Sequence, residues 1–204
     1  MNHPYVYALA EGKGPSQGSL YKEVALASVG LLEPRTGIEP EIEEFVFPYV
    51  VLMSQECDLQ QDRAARAGGV DDQDKWLINY LVCPAYPAEM LREGTHLEQL
   101  GRKAMRITST PWRNIKQNQN QRYHFLAPCT DLQVPELAID FKHFASISRD
   151  LFCRQYHTRH HYLASLREVY REQLSQRFAA FLSRIGLPVD HHRFAGELSH
   201  AAEM

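Results

Sequence analysis

The stretch over residues 46–53, VFPYVVLM, constrains this chain more than any other. An apolar, β-branched run of this length, punctuated only by Pro48, reads as a strand buried on both faces. It ends abruptly in Ser54, Gln55, Glu56, Cys57 and Asp58, five polar or reactive side chains at the strand's exit. A strand held in a core keeps its ends still, so polar groups delivered there can form a site. The plainer reading is that Ser54 and Asp58 cap a turn and Cys57 is a small core residue. Both readings demand a β-rich core around this strand.

Neighbouring segments supply that core. Residues 19–29, SLYKEVALASV, have strand-like stretches, and residues 76–83, WLINYLVC, form a second apolar strand stopped by Pro84 and Pro87. Between them, the glutamates of residues 33–44 lie among Pro34, Gly37 and Pro40, which describes a solvated loop. The polar segment after Asp58 reads as another loop, with a helical turn near 60–66. Residues 87–100 read as a helix with Met90, Leu91, Leu97 and Leu100 on one side, and residues 137–147 as a further strand. From Leu163, apolar residues step by three and four through Leu166, Tyr170, Leu174, Phe178 and Phe181 to Ile185, a long amphipathic helix stopped by Gly186 and Pro188. The expected organisation is an irregular lead-in at 1–18, a mainly β body with some α at 19–160, a helix at 161–188 packed on it, and a flexible tail at 189–204.

With 204 residues, 44% of them hydrophobic and 23% charged, the chain has enough apolar material for one ordinary globular domain. A net charge of −3 gives no overall pull toward nucleic acid or an anionic membrane. No apolar stretch approaches the roughly 18 residues that span a bilayer, and the N-terminus lacks the pattern of a signal peptide, so a cytoplasmic location without a membrane partner is expected. Cys57, Cys83, Cys129 and Cys153 lie far apart without CxxC pairing, so neither a disulfide framework nor a zinc knuckle is signalled.

The charge is unevenly distributed. Between Glu98 and Asp131 there is no acidic residue, yet Arg102, Lys103, Arg106, Arg113, Lys116 and Arg122 fall there. Trp112, Tyr123, His124 and Phe125 interleave with them, and residues 117–121 supply amides. For an RNA or DNA partner, Arg106, Arg113, Lys116 and Arg122 would neutralise phosphates while Trp112 and Tyr123 stack on bases. The plainer alternative is a solvated hairpin with 117–121 at its tip and Trp112 and Tyr123 in cross-strand contact.

A rival, enzymatic reading as a hydrolase or nuclease takes Cys57 as nucleophile beside Asp58, with His124 as general base. Against it, a thiolate needs a nearby cation, whereas Glu56 and Asp58 are acidic. Carboxylate pairs could also be drawn from Asp58, Asp71, Asp72, Asp74 and Asp140. Cys153, His157, His160 and His161 would share a face if helical and could hold zinc, but their segment joins a strand to a helix, and no metal is assigned. No cofactor is expected either, since Gly12-Lys13-Gly14 and Gly68-Gly69 match neither a P-loop nor a dinucleotide fingerprint. A third reading is a structural subunit, docking a protein partner or a second copy through the 163–185 helix.

Three segments resemble the PemK/MazF-like family of toxin-related SH3-like barrels. PYVVLMS at 48–54 resembles that family's Pro-x-Val-Val-x-x-Ser strand, NYLVCP at 79–84 its next strand, and LAIDFKHFASISR at 137–149 the late strand before the closing helix. The resemblance implies a small SH3-like barrel with inserted loops and a C-terminal helix. In ribonuclease members, catalysis is associated with a basic residue before the first Pro and a Thr or Ser after the second. Phe47 and Ala85 stand there in this chain, so the resemblance implies an accessory nucleic-acid- or partner-binding module without that ribonuclease site. The SQECD ending at 54–58 also resembles a group of bacterial proteins found near mobile-element and phage-defence genes.

Overall fold

The computed structural model describes residues 6–9, 14–29, 42–69, 73–158 and 160–184. Its centre is β3 (Ile42–Leu52), which pairs antiparallel with β2 (Ser19–Val29) on one side and β4 (Asn79–Pro87) on the other. Val50, Val51 and Leu52 are each 0% exposed. Side chains alternate across a strand, so Val50 and Leu52 enter one apolar cluster while Val51 and Met53 enter a second on the opposite face. Tyr80 and Val82 of β4 alternate with Cys83 in the same way, as does Ala138 with Leu137 and Ile139 in β6 (Leu137–Asp140). A continuous apolar run was therefore required, because both faces of this sheet are covered.

Among the described residues eight strands form one antiparallel sheet. Its order is β1 (Tyr7–Ala8), β8 (Tyr162–Leu166), β2, β3, β4, β6 and β5 (Tyr123–Leu126), with β7 (Ala145–Ser148) paired to the first half of β4. The first face is covered by Leu59 of α1 (Glu56–Ala67), Leu91 of α2 (Ala88–Glu93), Trp112 and Ile115 of α3 (Ser109–Lys116), and Phe152 of α4 (Arg149–Gln155). The second is covered by Leu174, Phe178 and Phe181 of α5 (Glu168–Leu182). The two ends of the strand order approach one another. Tyr7 Oη, on β1, donates to the Ala127 carbonyl just beyond β5 at 2.6 Å. Helix α5 and the residue that precedes it span the same gap: Arg167 Nε, at the N-cap, donates to the Tyr7 carbonyl at 3.0 Å, and the Arg177 guanidinium within α5 donates to the carbonyls of Asn118, Asn120 and Tyr123.

Several expectations change. Leu163 and Leu166 belong to β8 and not to a helix; their spacing of three suits a helix, but pairing with β1 and β2 decides the matter. The helix is accordingly the 15 residues of α5, and Ile185, Gly186, Pro188 and the tail at 189–204 lie outside the described residues. Residues 109–126 form a helix, a turn and a strand in place of a hairpin, with Trp112 packed edge-on to Phe125 at 6.2 Å. The 87–100 helix ends at Glu93, because Gly94 adopts φ +82 and caps it. β4 runs through Pro84 to Pro87, while β3 begins at Ile42 and so takes in part of the expected acidic loop. The single turn near 60–66 is the full helix α1, and the linker before β8 contains α4. No helix among the described residues is long and apolar enough to cross a membrane.

Candidate anion-binding cleft

The cleft is assembled by the chain that follows α2. Gly94 turns the backbone out of the helix, and a loop returns along it through hydrogen bonds from Ala104 N to Gly94 O and from Ile107 N to Arg92 O. This loop presents Arg102, Lys103 and Arg106, all exposed. The opposite wall is Arg122 and Tyr123 at the start of β5, with Lys142 and His143 from the 3-10 turn Phe141–His143. Between them lies a space of about 750 Å³, with no carboxylate among its lining residues. A neighbouring space of about 810 Å³ shares Arg106 but is lined by Glu89, Glu93 and Glu136 as well, so its charge is mixed.

Beneath the cleft sits a buried carboxylate. Asp140, 0% exposed, accepts from Arg122 Nε at 2.8 Å and Nη2 at 2.6 Å, from His143 Nδ1 at 2.7 Å and from Lys142 N at 3.0 Å. Burial works to raise its pKa, but the hydrogen bonds and charges of Arg122 and His143 prevail and hold it at about 2. Asp140 thus fixes the orientation of Arg122 and His143. Among the described residues, Arg102, Lys103, Arg106 and Lys142 have no carboxylate of their own and remain to face the cleft.

His96 completes the lining. It is 5% exposed and packs edge-on against Tyr86 at 5.0 Å, yet among the described residues neither ring nitrogen makes a hydrogen bond of ordinary geometry. The nearby Met90 carbonyl already accepts from the N–H groups of Gly94 and Thr95. Burial lowers the pKa of His96, and Arg122 and His143 lower it further against the opposing pull of Asp140 and of the nearby Met90 carbonyl. A buried polar atom with no partner is rare and costly, and here it borders a space large enough for a ligand.

The residues singled out from sequence divide between this cleft and elsewhere. Arg106, Arg122 and Tyr123 line it. Arg113 and Lys116 lie exposed on α3, where Lys116 pairs with Glu136 at 2.8 Å. Trp112 is 8% exposed and Tyr123 7%, and Arg122 lies over the Tyr123 ring at 4.8 Å, so neither ring presents a free face. Cys57 is exposed in the first turn of α1, with Sγ 3.5 Å from Asp58 and 3.9 Å from Gln55. His124 is 3% exposed and packs on Phe141, and burial, with Arg177, depresses its pKa to about 3. No contact joins Cys57 to His124 among the described residues. The rest of the strand exit is structural: Ser54 Oγ accepts from Leu81 N at 2.8 Å, and Glu56 accepts from Gln17 N at 2.8 Å beside Arg63 and Arg171. In the Cys153 group, Cys153 Sγ meets Tyr80 Oη at 3.7 Å and His157 Nδ1 meets Tyr21 Oη at 2.9 Å, so these two face other partners.

Sequence reasoning missed His96, Lys142 and His143. The acid-free run already reached back to Arg102 and Lys103, but nothing local tied that run to a turn some twenty residues after it.

Fold and cleft together define the class: an antiparallel sheet with helices on both faces, carrying a cationic cleft at one end of β5. No family model, curated protein or solved structure matches the chain.

Proposed function

We propose that the protein is a nucleic-acid-binding module that holds the phosphate backbone in this cleft. The carrying observation is the concentration of Arg102, Lys103, Arg106, Arg122 and Lys142 around a space without a lining carboxylate, in a chain whose net charge is −3. Phosphate binding releases counterions, so clustered cations convert directly into affinity. His96 offers a buried ring nitrogen to a phosphate or base edge, and the exposed Arg113 extends the cationic surface along α3. With the Trp112 and Tyr123 rings covered, base stacking plays little part and sequence selectivity is expected to be low. The approach of β1 to the end of β5, with α5 across the gap, supports reading the sheet as a divergent SH3-like barrel, and Phe47 and Ala85 leave it without the ribonuclease residues of the toxin-related barrels.

The test is binding to short single- and double-stranded RNA and DNA at about 50 and 200 mM salt, with strand integrity followed on a gel. Wild-type protein should bind without cleavage and lose affinity steeply with salt. Replacing Arg102, Lys103 and Arg106 together by Gln should lower the slope of log K against log salt by about two to three. Undetectable or salt-independent binding would remove the proposal, and cleavage would return attention to an enzymatic reading.

A further inference from the structure

A second cluster lies away from the cleft, where β2 meets the turn that leads into β8. Glu23, His160 and His161 each present a ligand atom, and the three atoms lie within 4.8 Å of one another. His160 Nε2 is 3.6 Å from Glu23 Oε2. We propose that these residues bind a divalent first-row transition ion, of which zinc is the test case.

The local structure argues for more than a chance ion pair. His161 is held in place: its Nδ1 is 3.0 Å from the Lys22 carbonyl, while Lys22 N donates to the His161 carbonyl at 2.8 Å, and Tyr156 packs edge-on to the ring at 5.2 Å. A carbonyl only accepts, so Nδ1 carries the proton and Nε2 keeps the lone pair that a metal needs. Tethering the second nitrogen to a backbone carbonyl is the usual way a metal-binding histidine is oriented. Glu23 is displaced from ordinary strand geometry. It takes φ +54, opposite the gap that Pro48 makes in the β2–β3 register, where Lys22 faces Tyr49 and Val24 faces Phe47. A non-glycine residue in this left-handed region is unfavourable, and such strain tends to persist where a side chain must be aimed. Two imidazoles and one carboxylate form a donor set suited to zinc, nickel, copper or iron, and three protein ligands leave a position for water. Donor atoms around one tetrahedral ion stand about 3.4 Å apart at bonds near 2.1 Å. His160 and Glu23 are both exposed and close the remaining distance by side-chain rotation. The bound ion would clamp β2 to the entry of β8.

The experiment is calorimetric titration of the metal-free full-length chain with zinc, with cobalt substitution read by absorption and thermal unfolding with and without zinc. The expected result is one ion per chain, a tetrahedral-type cobalt spectrum and a zinc-dependent rise in Tm. His160→Ala, at a highly exposed position, should weaken binding at least about tenfold. Glu23→Gly removes a ligand while suiting the left-handed backbone, so the fold is kept and the zinc-dependent rise in Tm is lost. His157→Ala, which bonds Tyr21 instead, should leave binding unchanged. No binding by wild-type protein, or equal binding by the His160 and Glu23 variants, would reduce the cluster to an exposed ion pair and overturn the proposal.

Discussion

At the residue scale, Asp140 carries more of the cleft than any cation in it. It is the buried counter-ion of Arg122 and the anchor of His143, and it faces no solvent itself. Asp140→Asn keeps the shape but leaves a guanidinium without its charge partner, and breaking a buried pair in this way costs about 3 kcal/mol. Chemical denaturation at neutral pH should show a loss of that order. Nucleic-acid affinity should fall as well, since Arg122 and His143 would no longer be held. A destabilised variant with unchanged affinity would separate Asp140 from the cleft and leave it a purely structural residue. The same reasoning explains why Cys57 is a weak candidate for catalysis. Its nearest polar neighbours are a carboxylate and an amide, and neither stabilises a thiolate.

At the scale of elements, the cleft depends on one turn. A Cβ on Gly94 would sit 2.6 Å from the Ala104 carbonyl, and the residue's φ of +82 disfavours any side chain. Gly94→Ala should therefore cost about 2 kcal/mol or more and push the loop bearing Arg102, Lys103 and Arg106 away from the opposite wall. Thermal unfolding and the salt slope of binding should both change; an unaltered slope would mean that the loop's position is immaterial. This turn also shows how far the sequence could be read. A sheet-containing core, the double-sided burial of β3 and the strands β2 and β4 were legible, because an uninterrupted apolar run has few other solutions. The expected mainly β body is instead a mixed α/β one, and the single strand expected at 137–147 is β6 and β7 with a 3-10 turn between them. The role of Gly94 as the end of a helix and the start of a cleft wall was not legible. That role rests on contacts with Ala104 and Ile107, which propensity does not encode. The exchange of helix for strand at Leu163 and Leu166 has the same origin: a spacing of three points to a helix, and only pairing partners distant in the chain override it. The cations of the cleft were half legible, since Arg106 and Arg122 lie in one acid-free run, whereas His96, Lys142 and His143 reach them only through folding.

At the scale of the whole molecule, His124 and Asp140 contribute to the response to acid, alongside His96, whose pKa is also lowered by burial. His124 is neutral in the fold, with its pKa depressed to about 3 from an ordinary value of about 6.5. A lowered folded pKa means that the unfolded chain takes up the proton first. Stability is therefore fully present above about pH 6.5 and drains away as pH falls toward 3. Asp140, held at about 2, adds a second loss that begins near pH 4, where an ordinary carboxylate is protonated. Denaturation midpoints should fall through both windows, and His124→Phe should reduce the loss in the upper one, where His96 and His157 also contribute; a wild-type curve level between about pH 6 and 4 would contradict the burial of His124. The position of β8 has a consequence for how such a chain is made. Residues 162–166 lie between β1 and β2, so the last of the described strands in the chain inserts between the first two. During synthesis at roughly 5–20 residues per second, β2 waits on the order of ten seconds with one edge bare. The middle of the sheet is thus synthesised before the strand that ties in its beginning, and for that interval another chain's strand can take the place reserved for β8.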